Sequence, residues 1–363
     1  MQQIGKRQMS ILIIVFLIGS TPLFELGIKA KQDAWIAMTL AAAAGLLLTV
    51  MYLRIHKRAP EAGLSELYMM HFGKWLGGAV GLLHACWFAY ESMRNVRDVG
   101  ELTSMALLTL TPKWIVMLLI LLASAYTVSK GLEVFVRVGQ LLFPIAAVSY
   151  ALVLLLLLIT GLPDIHHLRP VLENGFAPVW RAAFPDLLSF PFGQIVIMLV
   201  FWKYVAEKKE IGRITYWSQT GVSIFLIMMN VVIMSVLGPE LASVSSLPLL
   251  EVVQLIRLAN FLERLDVIVT LLLFIGLYVK MTALYMASVF SVNAVTGIAY
   301  RYCVMPIGLL IYGSSFLEPN NTYHIWIGLD ITLKVVPLFQ VALPLLMLLV
   351  GVRKKYKAKT KTS

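Results

Sequence analysis

The sequence predicts an all-α integral membrane protein built from about ten transmembrane helices. Of the 363 residues, 60% are hydrophobic and only 13% are charged, and the mean hydropathy is +0.84. Soluble domains contain roughly 45–50% apolar and about 25% charged residues. A spanning helix needs about 20 mostly apolar residues, and runs of that kind recur along the whole chain. The composition therefore excludes a soluble globular protein.

Ten apolar segments divide the chain, and we number them in order. They lie at residues 9–28, 34–53, 78–110, 114–129, 139–161, 186–205, 214–238, 262–286, 302–317 and 334–352. The connections between them are too short for a soluble domain, so we predict one polytopic membrane domain over residues 1–363. Segment 1 has a long apolar run and no small-residue cleavage site, which favours a retained helix over a signal peptide.

The basic residues predict the orientation in the membrane. With ten spans and an inner N-terminus, nineteen of the 30 Lys and Arg residues fall in inner connections and in the tail at 351–363, and eight fall in outer connections. An excess of cations on the cytoplasmic side is the usual pattern of membrane proteins. We therefore expect both termini in the cytoplasm. The net charge of +11 then reflects topology and contact with the lipid bilayer, not nucleic-acid binding.

Segments 1 and 6 carry matching interruptions. Segment 1 contains G-S-T-P-L-F-E-L-G at 19–27, and segment 6 contains F-P-D-L-L-S-F-P-F-G-Q at 184–194. Proline lacks an N–H and disturbs a helix, so two ordinary proline kinks would explain the pattern. The matched positions instead favour two inverted repeats of five helices, each with a broken first helix, as in many transporters.

Two of the longer connections predict extra short helices. Residues 57–74 have the pattern of an amphipathic helix that lies at the inner membrane surface. Residues 239–261 include a second short helix, around Leu247 to Leu258, on the outer side.

Segment 3 carries charges at the depth of the bilayer centre, in the stretch E-S-M-R-N-V-R-D-V-G-E. Four of them follow helical spacings of 3, 4 and 3 and share one face: Glu91, Arg94, Asp98 and Glu101. A charge that faces lipid there costs at least about 2.5–3.5 kcal/mol, so this face must meet the bundle interior or a wet cavity. Arg97 and Glu101 lie four residues apart, which predicts a structural ion pair.

Glu91 and Lys280 are open to a functional interpretation. Glu91 follows Trp87 by one turn, and an aromatic ring beside a carboxylate suits a small cationic group. Lys280 lies fifteen residues into an apolar run that starts near Leu265, which places it somewhat past the midplane. The two residues would then hold the amino and carboxylate groups of a zwitterion. Alternatively they pair with each other, or Lys280 extends to the inner interface.

Three motifs resemble those of the membrane-embedded B subunit of spore germinant receptors. They are G-K-W-L-G at 73–77, L-R-P-V-L-E-N-G at 168–175 and E-R-L-D at 263–266. Arg97 and Glu101 also match a recurrent pair of that family. The resemblance covers essentially the whole chain. It implies membership of the amino acid–polyamine–organocation transporter superfamily and a leucine-transporter-like fold.

The resemblance also implies a function and its site. Members of the family bind a small germinant, often an amino acid or a sugar, between helices 1, 3, 6 and 8. They work with A and C subunits in the inner membrane of a bacterial spore. The matching positions, with polar neighbours from the two interruptions, are Gly19, Ser20, Thr21, Glu25, Trp87, Glu91, Phe190, Pro191, Gln194, Lys280 and Leu284.

Several of these positions depart from the family pattern or admit another role. Amino-acid-binding relatives often carry G-x-G in the first interruption, where this chain has G-S-T-P, and Glu91 and Lys280 replace positions that are often uncharged. Glu25 is also consistent with an interfacial carboxylate paired with Lys29.

The expected function is the sensing of a small nutrient germinant, which triggers germination. A proton-coupled amino acid permease, with Glu25, Glu91 or Lys280 as the proton site, is the alternative. A structural subunit with a vestigial pocket is a third possibility. No nucleophile–base pair, metal-ligand cluster or nucleotide motif stands out, so we expect neither an enzyme nor a cofactor or metal.

Overall fold

The computed structural model describes residues 3–108, 110–256 and 265–352, and its regular elements there are helices apart from one isolated β-bridge. Eight described segments are long and apolar enough to cross a membrane. Two further helices belong to the same bundle. One, at Lys74–Ala106, carries the charged face, and the other, at Tyr300–Ser314, has only 15 residues. Together they account for the ten predicted segments.

The first half of the chain contains six α-helices. They are α1 (Lys6–Ile18), α2 (Ala34–Arg58), α3 (Leu64–Phe72), α4 (Lys74–Ala106), α5 (Lys113–Lys130) and α6 (Leu132–Ile159). Short 3-10 turns at Thr21–Leu23 and Ile28–Asp33 join α1 to α2.

The second half has more, and shorter, helices. They are α7 (Phe176–Arg181), α8 (Met198–Phe201), α9 (Ile211–Val244), α10 (Pro248–Gln254), α11 (Leu265–Thr296), α12 (Tyr300–Ser314), α13 (Asn321–Trp326), α14 (Leu333–Pro337) and α15 (Leu343–Val350). Wider π turns at Ile327–Thr332 and Leu338–Ala342 join α13, α14 and α15 into one span.

Both predicted interruptions are present. Segment 1 stops being helical at Gly19 (φ 16°, ψ −104°), and a helical turn resumes only at Thr21. Segment 6 is interrupted at Phe184 (φ −129°, ψ 123°) and again by a turn at Phe190 and Pro191. The broken first helices of the two halves are therefore confirmed.

Helix α11 packs directly against the first interruption. A Cβ added to Gly276 would lie 2.3 Å from the carbonyl oxygen of Gly19. A Cβ on Gly19 would lie 2.7 Å from Cδ of Lys280. Glycine is required at Gly276 because the backbone of Gly19 leaves no room for a side chain, and at Gly19 because the Lys280 side chain and the Phe16 carbonyl oxygen fill the space.

The last span begins earlier than predicted. It starts at Asn321, not at residue 334, because the Asn320 side chain accepts a hydrogen bond from the Tyr323 N–H and caps the helix. The polar residues of this first part obscure its apolar character in the sequence. Lys334, counted among the outer cations in the topology prediction, lies inside this span and pairs with Asp330.

The two predicted short helices are present, but one is buried in the bundle. The outer helix corresponds to α10, and residues 257–264, which include the start of the E-R-L-D motif, lie outside the described part of the chain, as does the tail from residue 353. Helix α3 is almost wholly buried and packs against α4, so the prediction of a surface helix is wrong. Its polar groups turn inward: the Tyr68 hydroxyl is 3.0 Å from Nδ1 of His84.

Two features of the packing position the site. Helices α4 and α11 share the most extensive interface of the bundle, beside the interruptions. At the N-terminal side of the bundle, the Ile4 N–H donates to the Tyr204 carbonyl oxygen at 3.0 Å, and the Ala206 N–H donates to the Ile4 carbonyl oxygen at 3.0 Å. The ends of segments 1 and 6 are therefore tied together.

Candidate functional site

A small cavity of about 40 Å³ lies where the two interruptions meet α4 and the last span. Four of the predicted ligand-binding residues line it: Ser20, Glu91, Phe190 and Gln194. A cavity needs roughly 10–15 Å³ to hold one water molecule, so this one has room for about three waters. A larger ligand would require a side chain of the wall to move.

Glu91 is a buried carboxylate that faces this cavity. It is 9% exposed, and its Oε2 accepts a hydrogen bond from Nε2 of Gln194 at 3.1 Å. Within the described residues, no Lys or Arg nitrogen lies within 4.0 Å of the Glu91 carboxylate. A buried charge that has only an amide partner is costly, and an ammonium group would offset that cost.

Lys280 is fully buried beside the first interruption. Its Nζ has no hydrogen-bond partner among the described residues, and it lies 4.4 Å from the ring centroid of Phe190 and 5.6 Å from that of Phe16. These aromatic faces attract the cation but do not replace hydrogen bonds. Lys280 does not line the 40 Å³ cavity, although Phe190 contacts both. No direct ion pair joins Lys280 to Glu91 in the described structure.

The other predicted residues do not line the cavity. Trp87 stacks on Phe339, with ring centroids 4.9 Å apart, and Leu284 is buried in the core. The Thr21 hydroxyl donates to the Leu17 carbonyl oxygen at 2.7 Å. The predicted residues that do not line the cavity are Gly19, Thr21, Glu25, Trp87, Pro191, Lys280 and Leu284.

Glu25 does not form the ion pair with Lys29 that we considered. Nδ2 of Asn230 donates to Oε1 of Glu25 at 3.1 Å. Lys29 instead pairs with Asp186, with Nζ 2.7 Å from Oδ2. The interpretation of Glu25 as the partner of Lys29 is wrong, because the carboxylate of Asp186 takes that place.

A second cavity of about 70 Å³ lies between the first one and the Lys29–Asp186 pair. Phe190, Leu329 and Leu333 line both cavities, so these side chains separate them. The two cavities are therefore adjacent, and the second one extends to the Lys29–Asp186 pair.

The charged face of α4 is paired largely with residues that follow α12. Nη1 of Arg94 lies 3.2 Å from Oε1 of Glu318, and Nη2 donates to the His324 carbonyl oxygen at 2.8 Å. Nε2 of His324 lies 2.8 Å from Oδ1 of Asp98, and Nδ1 contacts Glu318. Arg94, Asp98, Glu318 and His324 therefore form one buried network.

Two further charges of α4, Arg97 and Glu101, form a second group with Lys113 of α5. Nε of Arg97 and Nζ of Lys113 lie 2.7 and 2.8 Å from the same oxygen, Oε1 of Glu101. Nη1 of Arg97 also donates to the Ser315 carbonyl oxygen at 3.0 Å. The guanidinium thus joins α4 to the end of α12, which fits a structural role for this pair.

Sequence reasoning missed Glu318 and His324. Both fall in residues 318–333, which we placed between segments 9 and 10. The available signal was a carboxylate and an imidazole in E-P-N-N-T-Y-H, directly after an apolar run. Burial raises the pKa of the Glu318 carboxyl, but the hydrogen bond with His324 and the nearby Arg94 and Arg97 outweigh it, so that the pKa lies below its ordinary value.

Known proteins resemble this chain along its length. A family model for spore germination proteins matches residues 3–323. Spore germination protein KB of Bacillus subtilis (strain 168) is 32% identical over 367 residues, which cover 99% of this chain and 97% of the relative. Spore germination protein YndE of the same bacterium is 23% identical, with 96% of each chain covered.

Two solved transporters share the fold. MHP1, a nucleobase-cation-symport-1 family transporter in a closed conformation with bromovinylhydantoin bound, has a TM-score of 0.70 and 10% identity over 95% of this chain and 78% of its own. MhsT in complex with L-phenylalanine has a TM-score of 0.67 and 12% identity over 96% of this chain and 98% of its own. The leucine-transporter-like fold that we expected is confirmed, and the chain belongs to the spore germination protein family.

Proposed function

We propose that this member of the spore germination protein family is the B subunit of a germinant receptor, and that it binds a small nutrient germinant between its two interrupted helices. The observation that carries the proposal is the buried Glu91 carboxylate, which faces the small cavity and has Gln194 as its only side-chain partner within the described structure. The position of this cavity at both interruptions agrees with substrate sites in transporters built from inverted repeats.

The chemistry of the site favours a zwitterion such as an amino acid. Glu91 would accept hydrogen bonds from the amino group of the ligand, and Lys280 would bind its carboxylate. Phe190 contacts Lys280 and lines the cavity, so movement of this one ring would open the cavity towards the ammonium group.

Binding would act by shifting the helix bundle between conformations. A ligand shifts such an equilibrium only if its affinity for the two conformations differs. The germinant would enter past the Lys29–Asp186 pair and through the 70 Å³ cavity. The proposal includes A and C receptor subunits as partners, the spore inner membrane as the location, and both termini in the cytoplasm.

Charge-neutral variants test the ligand site. In spores that depend on this receptor, Glu91→Gln and Lys280→Met should keep normal protein levels but raise the half-maximal amino acid concentration for germination. One unpaired ligand charge in a desolvated site costs about 2–5 kcal/mol, which corresponds to an increase of about 30-fold or more in that concentration. Glu133→Gln, at a half-buried position, and Lys130→Met, at an exposed one, are the matched controls and should leave the response unchanged.

The alternative interpretation, in which Glu91 and Lys280 bind no ligand, predicts a different result. If Glu91 and Lys280 only stabilise each other, each single variant should lower protein abundance, and the double variant should restore abundance with an unshifted dose–response. That result would remove both residues from the ligand site. Each variant therefore needs quantitative blotting beside a titration with small L-amino acids and their amides.

A transport assay distinguishes a germinant receptor from the alternative function, a proton-coupled amino acid permease. Purified protein in vesicles with an imposed pH gradient should not accumulate the amino acid that triggers germination. Accumulation that depends on the gradient and on Glu91 would favour a proton-coupled amino acid permease instead.

A further inference from the structure

A long apolar groove runs between α6 and α9, distinct from the cavity described above. Its volume is about 370 Å³, and none of its lining residues lines the 40 Å³ cavity. Phe143 and Tyr150 of α6 form one wall, Gly221 and Phe225 of α9 form the other, and Gly276 of α11 belongs to the floor. Helix α6 exposes much of its surface in a segment apolar enough to span the bilayer, so the groove faces lipid.

The groove continues into a basic mouth at the N-terminal side of the bundle. This mouth is a separate cavity of about 420 Å³ that shares the lining residues Ile14, Trp217 and Ser218 with the groove. Three cations line this mouth together with one carboxylate: Lys6, Arg7, Arg213 and Glu210. Formal charges at the mouth therefore sum to +2. The three cations form no ion pair within the described part of the chain.

We propose that this groove binds an acyl chain of an anionic phospholipid, with the headgroup phosphate against Lys6, Arg7 and Arg213. Basic pockets between helices at a membrane surface bind anionic lipid headgroups, whereas a net positive mouth gives a zwitterionic headgroup no advantage. The apolar groove above the mouth supplies the matching site for the chain.

Two details of the groove agree with a lipid as the occupant. Trp217 lies at the junction of groove and mouth and is 72% exposed. Tryptophan favours the depth where headgroups meet acyl chains. A Cβ added to Gly221 would have no atom within 4 Å, so the protein leaves open space in the wall. The floor includes Gly19, so a bound chain would contact the first interruption from the lipid side.

Native mass spectrometry of the full-length protein tests the proposal with two lipids of identical chains, phosphatidylglycerol and phosphatidylcholine. The parent protein should retain phosphatidylglycerol more tightly. Lys6→Gln/Arg7→Gln/Arg213→Gln should weaken that binding by about five-fold for each cation removed and leave phosphatidylcholine unchanged. Gly221→Leu should fill the groove and weaken both lipids equally.

Matched variants on other surfaces separate this site from general membrane attraction. Arg54→Gln/Lys57→Gln/Lys74→Gln removes the same charge at exposed positions on the same side of the bundle, and Gly313→Leu adds the same side chain where a Cβ has no atom within 4 Å. Neither should change lipid retention. Equal loss from both triple variants, equal binding of the two lipids, or a protein dimer that Gly221→Leu disrupts would overturn the proposal.

Discussion

Glu101 should tolerate the loss of either of its two cationic neighbours but not of both. Arg97→Met removes the contact at 2.7 Å and the hydrogen bond to the Ser315 carbonyl oxygen. A hydrogen bond that involves a charged group contributes about 1.5–3 kcal/mol. Lys113→Met should cost less than about 1 kcal/mol, because its side chain is 41% exposed and Arg97 remains beside Glu101.

The double variant leaves the buried Glu101 without either cation. Breaking a buried pair by removing its partner costs roughly 3–5 kcal/mol, because the remaining charge is uncompensated. We therefore expect the double variant to lose about 1–2 kcal/mol more than the two single variants combined. Adding Glu101→Gln to the double variant should recover most of this loss, because a neutral amide does not need a cation.

The free energy of unfolding in mixed micelles, measured by titration with sodium dodecyl sulfate, gives these differences directly. Arg137→Met is the matched control: its pair with Glu133 is exposed and also spaced by four residues. Its effect should stay below about 0.5 kcal/mol. Strictly additive losses, or a double variant as stable as the parent, would refute the reasoning and indicate that Glu101 contacts water.

Three further predictions concern acid stability, the first interruption and topology. The pKa of the Glu318 carboxyl lies below its ordinary value of about 4.3, so its contribution is complete above that value and is lost as the pH falls through the lowered pKa. Thermal unfolding followed into acid should show a shallower loss for Glu318→Gln than for the parent. Gly19→Ala should lower protein abundance in membranes, because its Cβ would lie 2.7 Å from a buried side-chain carbon, whereas Gly313→Ala should not. Reporter fusions at Ser363 and within 165–175 should give cytoplasmic and outer signals respectively, and an outer signal at Ser363 would contradict the predicted orientation.

Local patterns predicted the features that local chemistry determines. Proline lacks an N–H and glycine accepts unusual dihedral angles, so their combination made the interruptions of segments 1 and 6 visible in the sequence. The spacing of charges along α4 likewise predicted a single polar face, because helical geometry fixes which residues share it. Eight of the ten predicted segments correspond to helices that are long and apolar enough to cross a membrane, whereas α4 carries charges and α12 has only 15 residues.

Contacts between distant parts of the chain were not predictable in this way. Glu318 lies 224 residues after Arg94, and no periodicity connects the two. The last span begins in a stretch that contains His324 and Asp330, which lowers its apolar character, although His324 turns inward to Asp98. The burial of α3 depends on neighbours that its own sequence does not reveal.

The close approach of Gly19 and Gly276 would make this point a pivot if α1 tilts. Thirteen residues separate the pivot from the N-terminal end of this helix, a length of about 20 Å. A tilt of about 10° at Gly19 would therefore displace that end by roughly 3 Å. Because the backbone of Ile4 is hydrogen-bonded to Tyr204 and Ala206, this displacement would also move the end of segment 6. A small rearrangement around the cavity would thus produce a larger displacement at the N-terminal end of α1 and at the end of segment 6.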